Sequence, residues 1–208
     1  MPGRLGSERL PNKLILPFGE SCLWDIACKK LNSLPKHYEK VVLICEKELI
    51  DIAKKYPNIK IIKREESTSK ADSPLNFVFK DIDKMESEYV MFLNPCLSML
   101  QTDTIRDSLE FYETQEKIYL ESVKRFRNWL WKPGGKLVFD IDFKSLNTKY
   151  LPKIYEDAHA FRIFPKKEFL ETGYMLKPYP LIYEINEVES TDVDTKLDFK
   201  IAKKLNNL

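Results

Sequence analysis

Short apolar runs alternate with amphipathic stretches of helical length along the first half of this chain, and few folds accommodate that pattern. Residues 41–45 (Val-Val-Leu-Ile-Cys) read as a buried strand. Residues 47–56 follow as a helix with Leu49, Ile50 and Ala53 on one face. Residues 59–62 are again strand-like, 72–85 read as a helix, and 89–93 as a third strand. A further helix opens at Thr102, with Ile105, Leu109, Phe111 and Tyr112 at helical spacing. Strands separated by helices predict βαβ units, right-handed crossovers and an α/β fold with a mainly parallel sheet.

The pattern changes between residues 118 and 183. Trp129, Trp131, Pro133, Gly134 and Gly135 mark a turn between two β-rich pieces, 118–123 and 136–143, which together read as a hairpin or small extension. Residues 158–164 and 180–185 return to strand character. The chain closes in a helix after Thr195, where Leu197, Ile201 and Leu205 share a face and Asp198 stands three residues from Thr195, as in a capping box. No internal repeat divides the sequence, so a single domain over residues 1–208 is expected, with 124–155 as its protruding β-rich part.

Composition narrows the functional classes. A net charge of +2 among 34 basic and 32 acidic residues does not suit a protein that coats nucleic acid. No run approaches the ~20 apolar residues of a membrane-spanning helix, and the first residues lack the apolar core of a signal peptide. The four cysteines form no CxxC pair and lie in apolar runs, so they are expected as reduced thiols of a cytoplasmic protein. Two histidines and scattered cysteines do not favour a zinc site.

Two stretches carry chemistry. The first is Gly3-Arg4-Leu5-Gly6-Ser7-Glu8-Arg9-Leu10-Pro11-Asn12-Lys13. Glycine and serine let backbone N–H groups converge, and two arginines and a lysine surround them, which suits a triphosphate. A flexible basic tail has the same charge. The second is Thr191-Asp192-Val193-Asp194-Thr195. On extended backbone Asp192 and Asp194 face the same side, and two close carboxylates favour a bound cation such as Mg²⁺. The alternative is that Asp194 or Thr195 only caps the last helix. Asp140 and Asp142 repeat the spacing, but within the expected hairpin, where they read as a solvent-facing alternation.

The order G-R-x-G-S-x-R-L-P-x-K, with L-P-F-G-E-S at residues 16–21, resembles the start of the sugar cytidylyltransferases, the acylneuraminate, pseudaminate and 3-deoxy-manno-octulosonate enzymes among them. The segment around Asn94-Pro95-Cys96 resembles that family's L-Q-P-T-S-P-L, with Asn for Gln and Cys for Thr. Residues 191–199 resemble its D-I-D-T-x-x-D-F close. The resemblance implies a three-layer Rossmann-like nucleotidyltransferase fold and transfer of CMP from CTP to an acidic sugar. It implies that Arg4 and Lys13 act on the triphosphate and its α-phosphate. Gly6, Ser7, Arg9, Asp72 and Asn94 would line the nucleotide, and Asp192 and Asp194 would hold Mg²⁺. Asn94 also reads as a plain turn residue, and Asp72 as a plain N-cap. The resemblance further implies a homodimer built on residues 124–155. It implies an apolar strand directly before Gly3, where this sequence has only Met1 and Pro2, so neighbouring strands are expected to lack a partner. His159 falls where the family has a small residue, near the acceptor. A related nucleotidyltransferase with another base or acceptor, and a nucleotide-binding relative without turnover, stay open.

Overall fold

The computed structural model describes residues 1–69, 74–116, 119–139 and 147–206. Asp72, Asp140 and Asp142 lie outside them. The first strand, β1 (Val41–Ile44), pairs in parallel with β2 (Lys60–Lys63), and α2 (Lys47–Ala53) makes the crossover. Ahead of them lies α1 (Leu23–Ser33). A second group of strands comprises β3 (Tyr89–Leu93), β4 (Leu120–Phe126), β5 (Ile154–Pro165) and β6 (Leu181–Glu184), in the order β3-β5-β4-β6. The α/β class and the layered architecture stand. The pairing is mixed: β4 and β6 are parallel, while β5 runs antiparallel to both β3 and β4. The chain leaves β4 at Phe126 and returns opposite it at Ile154, so β4 and β5 form the two legs of a hairpin.

β4 and β5 face each other at the base of the 124–155 segment. Leu120–Val123 pairs with β5 and β6, and none of the described residues of 136–143 bridges to it. Among the described residues the outer part contributes one β-bridge, Trp131 to Leu137, around the turn at Gly134 and Gly135. The helix expected over 72–85 is also replaced. A short α3 (Leu75–Val78) and a 3₁₀ turn (Lys80–Lys84) meet at Phe79. Pro74 stands at the N-cap of α3, and proline disfavours helical backbone in the residue before it.

Alternate residues of β1 serve two cores, which is why its four residues are all buried. Val42 and Ile44 face a cluster with Leu23, Trp24, Cys28 and Leu31 of α1 and Leu49 of α2. Ile105 of α4 (Thr102–Glu113) and Ala202 of α6 (Lys196–Leu205) join the same cluster. Val41 and Leu43 face a smaller one with Ile82, Phe164 and Phe169, the last from α5 (Lys166–Thr172). Cys22, Cys28 and Cys96 are buried free thiols as expected, and Cys45 is half-buried.

Residues 1–3 occupy the place of the strand implied before the loop. Met1 N donates to Val41 O at 2.8 Å, Leu43 N to Met1 O at 3.0 Å, and Gly3 N to Leu43 O at 3.1 Å. Beyond this bridge, an apolar cavity of about 380 Å³ separates β1 from β3, walled by Val41, Leu43, Val90 and Met91. Gly3 is required here by close approach. A Cβ would stand 2.8 Å from Trp24 Cζ3 and 3.1 Å from Ile44 Cγ2, and Trp24 is fully buried and pinned by its Nε1 bond to Leu49 O at 3.0 Å. Gly3→Ala should therefore cost about 1–3 kcal/mol, the usual range for overpacking. Urea unfolding checks this, and an unchanged midpoint would mean that Trp24 yields.

Candidate active site

The loop from Leu5 to Lys13 closes on itself. Leu5 O accepts from Ser7 N at 2.8 Å and Asn12 N at 3.2 Å, and Leu5 N is held by Glu46 Oε1 at 3.0 Å. Asn12 takes the left-handed conformation (φ 57°), which asparagine tolerates better than most residues, and turns the chain into a 3₁₀ turn, Lys13–Ile15. Leu10 and Leu14 are buried and fix this turn to the core.

The result brings together residues 181 positions apart. Lys13 Nζ donates to Asp194 Oδ1 at 2.8 Å and to Val193 O at 2.9 Å. Arg9 Nη2 lies 2.9 Å from Asp194 Oδ2. Burial works against the Lys13 charge, but the neighbouring Cys96 sulfur and Asp194 carboxylate outweigh it and raise the ammonium pKa. Asp192 is held differently. Asn94 Nδ2 donates to its Oδ2 at 3.3 Å, while its Oδ1 is buried with no hydrogen-bond partner among the described residues. Burial first, and Asp194 second, push its pKa up. Asn94 is anchored by its own N–H to Ala160 O at 2.9 Å, and its Oδ1 accepts from Cys96 N at 3.0 Å, so it is both turn former and carboxylate partner. Cys96 O accepts from Val193 N at 3.2 Å, tying the Asn94 turn to the carboxylate strand.

One open cleft of about 830 Å³ joins these groups, with Arg4, Ser7, Arg9, Lys13, Asn94, Asp192 and Asp194 on its wall. Of the expected residues, Gly6 is exposed and not on that wall. Its Cβ position is open, and its φ is not in the left-handed region. The Ser7 N–H is engaged by Leu5 O and is not offered to a ligand in this conformation. Of the two residues considered for capping, Thr195 is the one that caps: with Asp198 it forms the full capping box of α6. Asp198 Oδ2 also accepts the N–H of Asp194 at 3.2 Å.

Sequence reasoning did not find several supports. Arg64 is buried on the cleft wall and donates to Gly3 O at 2.9 Å. Lys30 caps the Asn94 turn through Leu97 O and Ser98 O, at 3.1 and 2.6 Å, and burial lowers it to about 8. Arg162 shares the cleft with His159, Asp192 and Asp194. The available signal for Arg162 was a basic residue inside the apolar run Ala160–Phe164.

Cations from a closed loop thus meet two carboxylates in one cleft of an α/β fold. Residues 1–167 match the cytidylyltransferase family, and the chain belongs to it; it is an enzyme that uses CTP as nucleotidyl donor. Pseudaminic acid cytidylyltransferase of Campylobacter jejuni subsp. jejuni serotype O:2 is 25% identical over 98% of this chain and 93% of its own length. N-acylneuraminate cytidylyltransferase of Escherichia coli O18:K1:H7 is 25% identical over 97% of this chain and 50% of its own length. Among solved structures, CMP:2-keto-3-deoxy-manno-octonic acid synthetase complexed with CTP superposes with a TM-score of 0.70 at 11% identity, over 99% of this chain and 96% of the other. A cytidylyltransferase from Leptospira borgpetersenii gives 0.62 at 15% identity, over 100% and 85%. These confirm the Rossmann-like fold.

Proposed function

We propose that this enzyme transfers CMP from CTP to an acidic sugar of the ulosonic type and releases pyrophosphate. The observation that carries it is the meeting of the Arg4–Lys13 loop and the Asp192–Asp194 strand in one cleft, with Lys13 Nζ 2.8 Å from Asp194 Oδ1. The names of the relatives supply the acceptor class. An acceptor hydroxyl oxygen attacks the α-phosphorus. The new P–O bond forms as the bond to the β-phosphate breaks, and the hydroxyl proton passes to solvent. Lys13 places its ammonium against the charge that grows at the α-phosphate, and Arg4 and Arg9 face the leaving pyrophosphate. Asn94 orients Asp192.

Among the described residues no cluster of three or more His, Cys, Asp or Glu side chains forms a metal cage. The pair fits Mg²⁺ instead, because that ion takes few carboxylates and completes its shell with water and phosphate oxygens. The buried Oδ1 of Asp192, without a hydrogen-bond partner among the described residues, is the atom that such an ion would satisfy. Asp192 and Asp194 would hold it, and when bound it would offset phosphate charge. No helix among the described residues is long and apolar enough to cross a membrane. A cytoplasmic location is our proposal, in keeping with the free cysteines. Trp131, Val138 and Tyr150 are exposed on the extension, and we propose that two copies join there in a single-domain homodimer.

The test uses N-acetylneuraminate, pseudaminate and 2-keto-3-deoxy-manno-octonate with CTP and MgCl₂. Pyrophosphate release with at least one of them is expected, and CTP should raise the melting temperature above UTP, GTP and ATP. Light scattering on the same sample should give about twice the 24.6 kDa chain mass. No release with any sugar, together with no preference for CTP, would defeat the assignment.

A further inference from the structure

The wall of the cleft beyond the carboxylates is built by a defect in β5. The β4–β5 register shifts between Glu121 and Val123, and the extra backbone is accommodated by Ser122, whose Oγ accepts the N–H groups of Ala160 and Phe161 at 3.2 and 3.0 Å. Bulges of this kind re-aim side chains. Here His159 takes φ 52°, a conformation few side chains adopt, with its N–H donating to Asp157 Oδ1 at 2.7 Å. Its Nδ1 lies 3.0 Å from Asp157 Oδ2. It stands close enough to Asp192 to favour that carboxylate's charged form.

Arg162 sits three residues on, directly across from Glu121 on β4 and Phe92 on β3. It is mostly buried, with 18% of its side chain exposed. Its Nη2 is 2.6 Å from Asp157 Oδ2 and 3.0 Å from Glu121 Oε1. Both contacts use Nη2, so Nη1 and Nε are not engaged among the described residues. The Glu121 contact lacks hydrogen-bond alignment, and both Glu121 oxygens are buried without a hydrogen-bond partner among the described residues. Burial drives Glu121 up to about 8 in spite of Arg162. Among the described residues Asp157 is the carboxylate that accepts a hydrogen bond from the guanidinium, and it is shared with His159. A fixed planar fork on a cleft wall, only partly neutralised, is suited to a second carboxylate.

We propose that Arg162, set in place by Asp157 and Glu121 and flanked by His159, is the anchor for the carboxylate of the acceptor. This assignment rests on the acidic-sugar function proposed above and adds the residue that selects an acid. The cleft thereby divides in two. Arg4, Arg9 and Lys13 serve the triphosphate, and the β5 bulge serves the acceptor. The fork's free edge explains why so buried an arginine lies open to the cleft at all.

The experiment compares wild-type, Arg162→Gln and Arg162→Lys enzyme on the three sugars named above and on their C1 carboxamides. Wild-type enzyme should prefer the acid. In Arg162→Gln the acceptor KM should rise about ten- to a hundredfold while the KM for CTP stays within about twofold, and the preference for acid over amide should collapse. Arg162→Lys, which keeps the charge beside Asp157 but not the fork, should fall between. It also supplies the measurement if Arg162→Gln does not fold. Unchanged acid-over-amide preference in either folded variant overturns the anchor while leaving the acidic-sugar function intact. Absence of transfer by wild-type enzyme to any of the three sugars overturns that function, and the anchor with it.

Discussion

Replacing Asp192 and Asp194 together with asparagine is expected to remove CMP transfer while the chain stays folded, a loss of about 10³-fold or more in kcat/KM. The two positions reach that result by different routes. Asp194 is the partner of Lys13 and Arg9, and its loss unpairs both cations. Asp192 is a buried carboxylate with one oxygen unpartnered among the described residues, and its pKa is raised. An acid whose folded pKa lies above its unfolded value binds its proton more tightly in the native state. The contribution of this group to stability is then fully present below the unfolded value, near 3.9, and is lost as pH rises through the folded pKa. Asp192→Asn alone should consequently leave the melting temperature at pH 7 unchanged or raise it, even as it removes turnover. Pyrophosphate release and thermal unfolding on the same preparations check both halves. Full activity in the double variant, or marked destabilisation by Asp192→Asn alone, would contradict this account.

Lys13→Met should lower kcat by about 10²–10³-fold with the KM for CTP moved far less, because the ammonium serves charge that grows during transfer more than charge already present in CTP. Some stability is lost as well. Lys13 is mostly buried, with 13% of its side chain exposed, and its removal leaves Val193 O and Asp194 Oδ1 without their donor. The discriminating measurement is steady-state kinetics at a temperature well below the variant's own midpoint. A large rise in KM for CTP with kcat intact would make Lys13 a binding residue only.

The parts of this molecule legible in its sequence are those fixed by neighbours in the chain. The β1, α2, β2 and β3 segments could be read because hydrophobic period and turn residues lie within each segment. The Thr195–Asp198 capping box could be read because its two halves are three residues apart. Asp192 and Asp194 could be paired because extended backbone puts residues two apart on one side. The Asn94 turn was legible in place, but its bond to Asp192, 98 residues away, depends on the fold. The helix expected over 72–85 failed where Pro74 overrode a periodic pattern. The partner of 120–123 was misjudged because a local turn at Gly134 and Gly135 suggested a local mate, whereas this segment pairs with β5 and β6. Arg162, Asp157 and Glu121 meet through register across a bulge, and no one-dimensional pattern encodes that register.

The capping box of α6 has a consequence for how this enzyme fails. Asp198 Oδ2 holds the hydroxyl and N–H of Thr195 and, with the same atom, the N–H of Asp194. Helix ends open at lower free energy than the global fold. Each time the first turn of α6 frays, the carboxylate opposite Lys13 loses its backbone tether. Gentle warming should therefore silence the enzyme well before circular dichroism registers any melting.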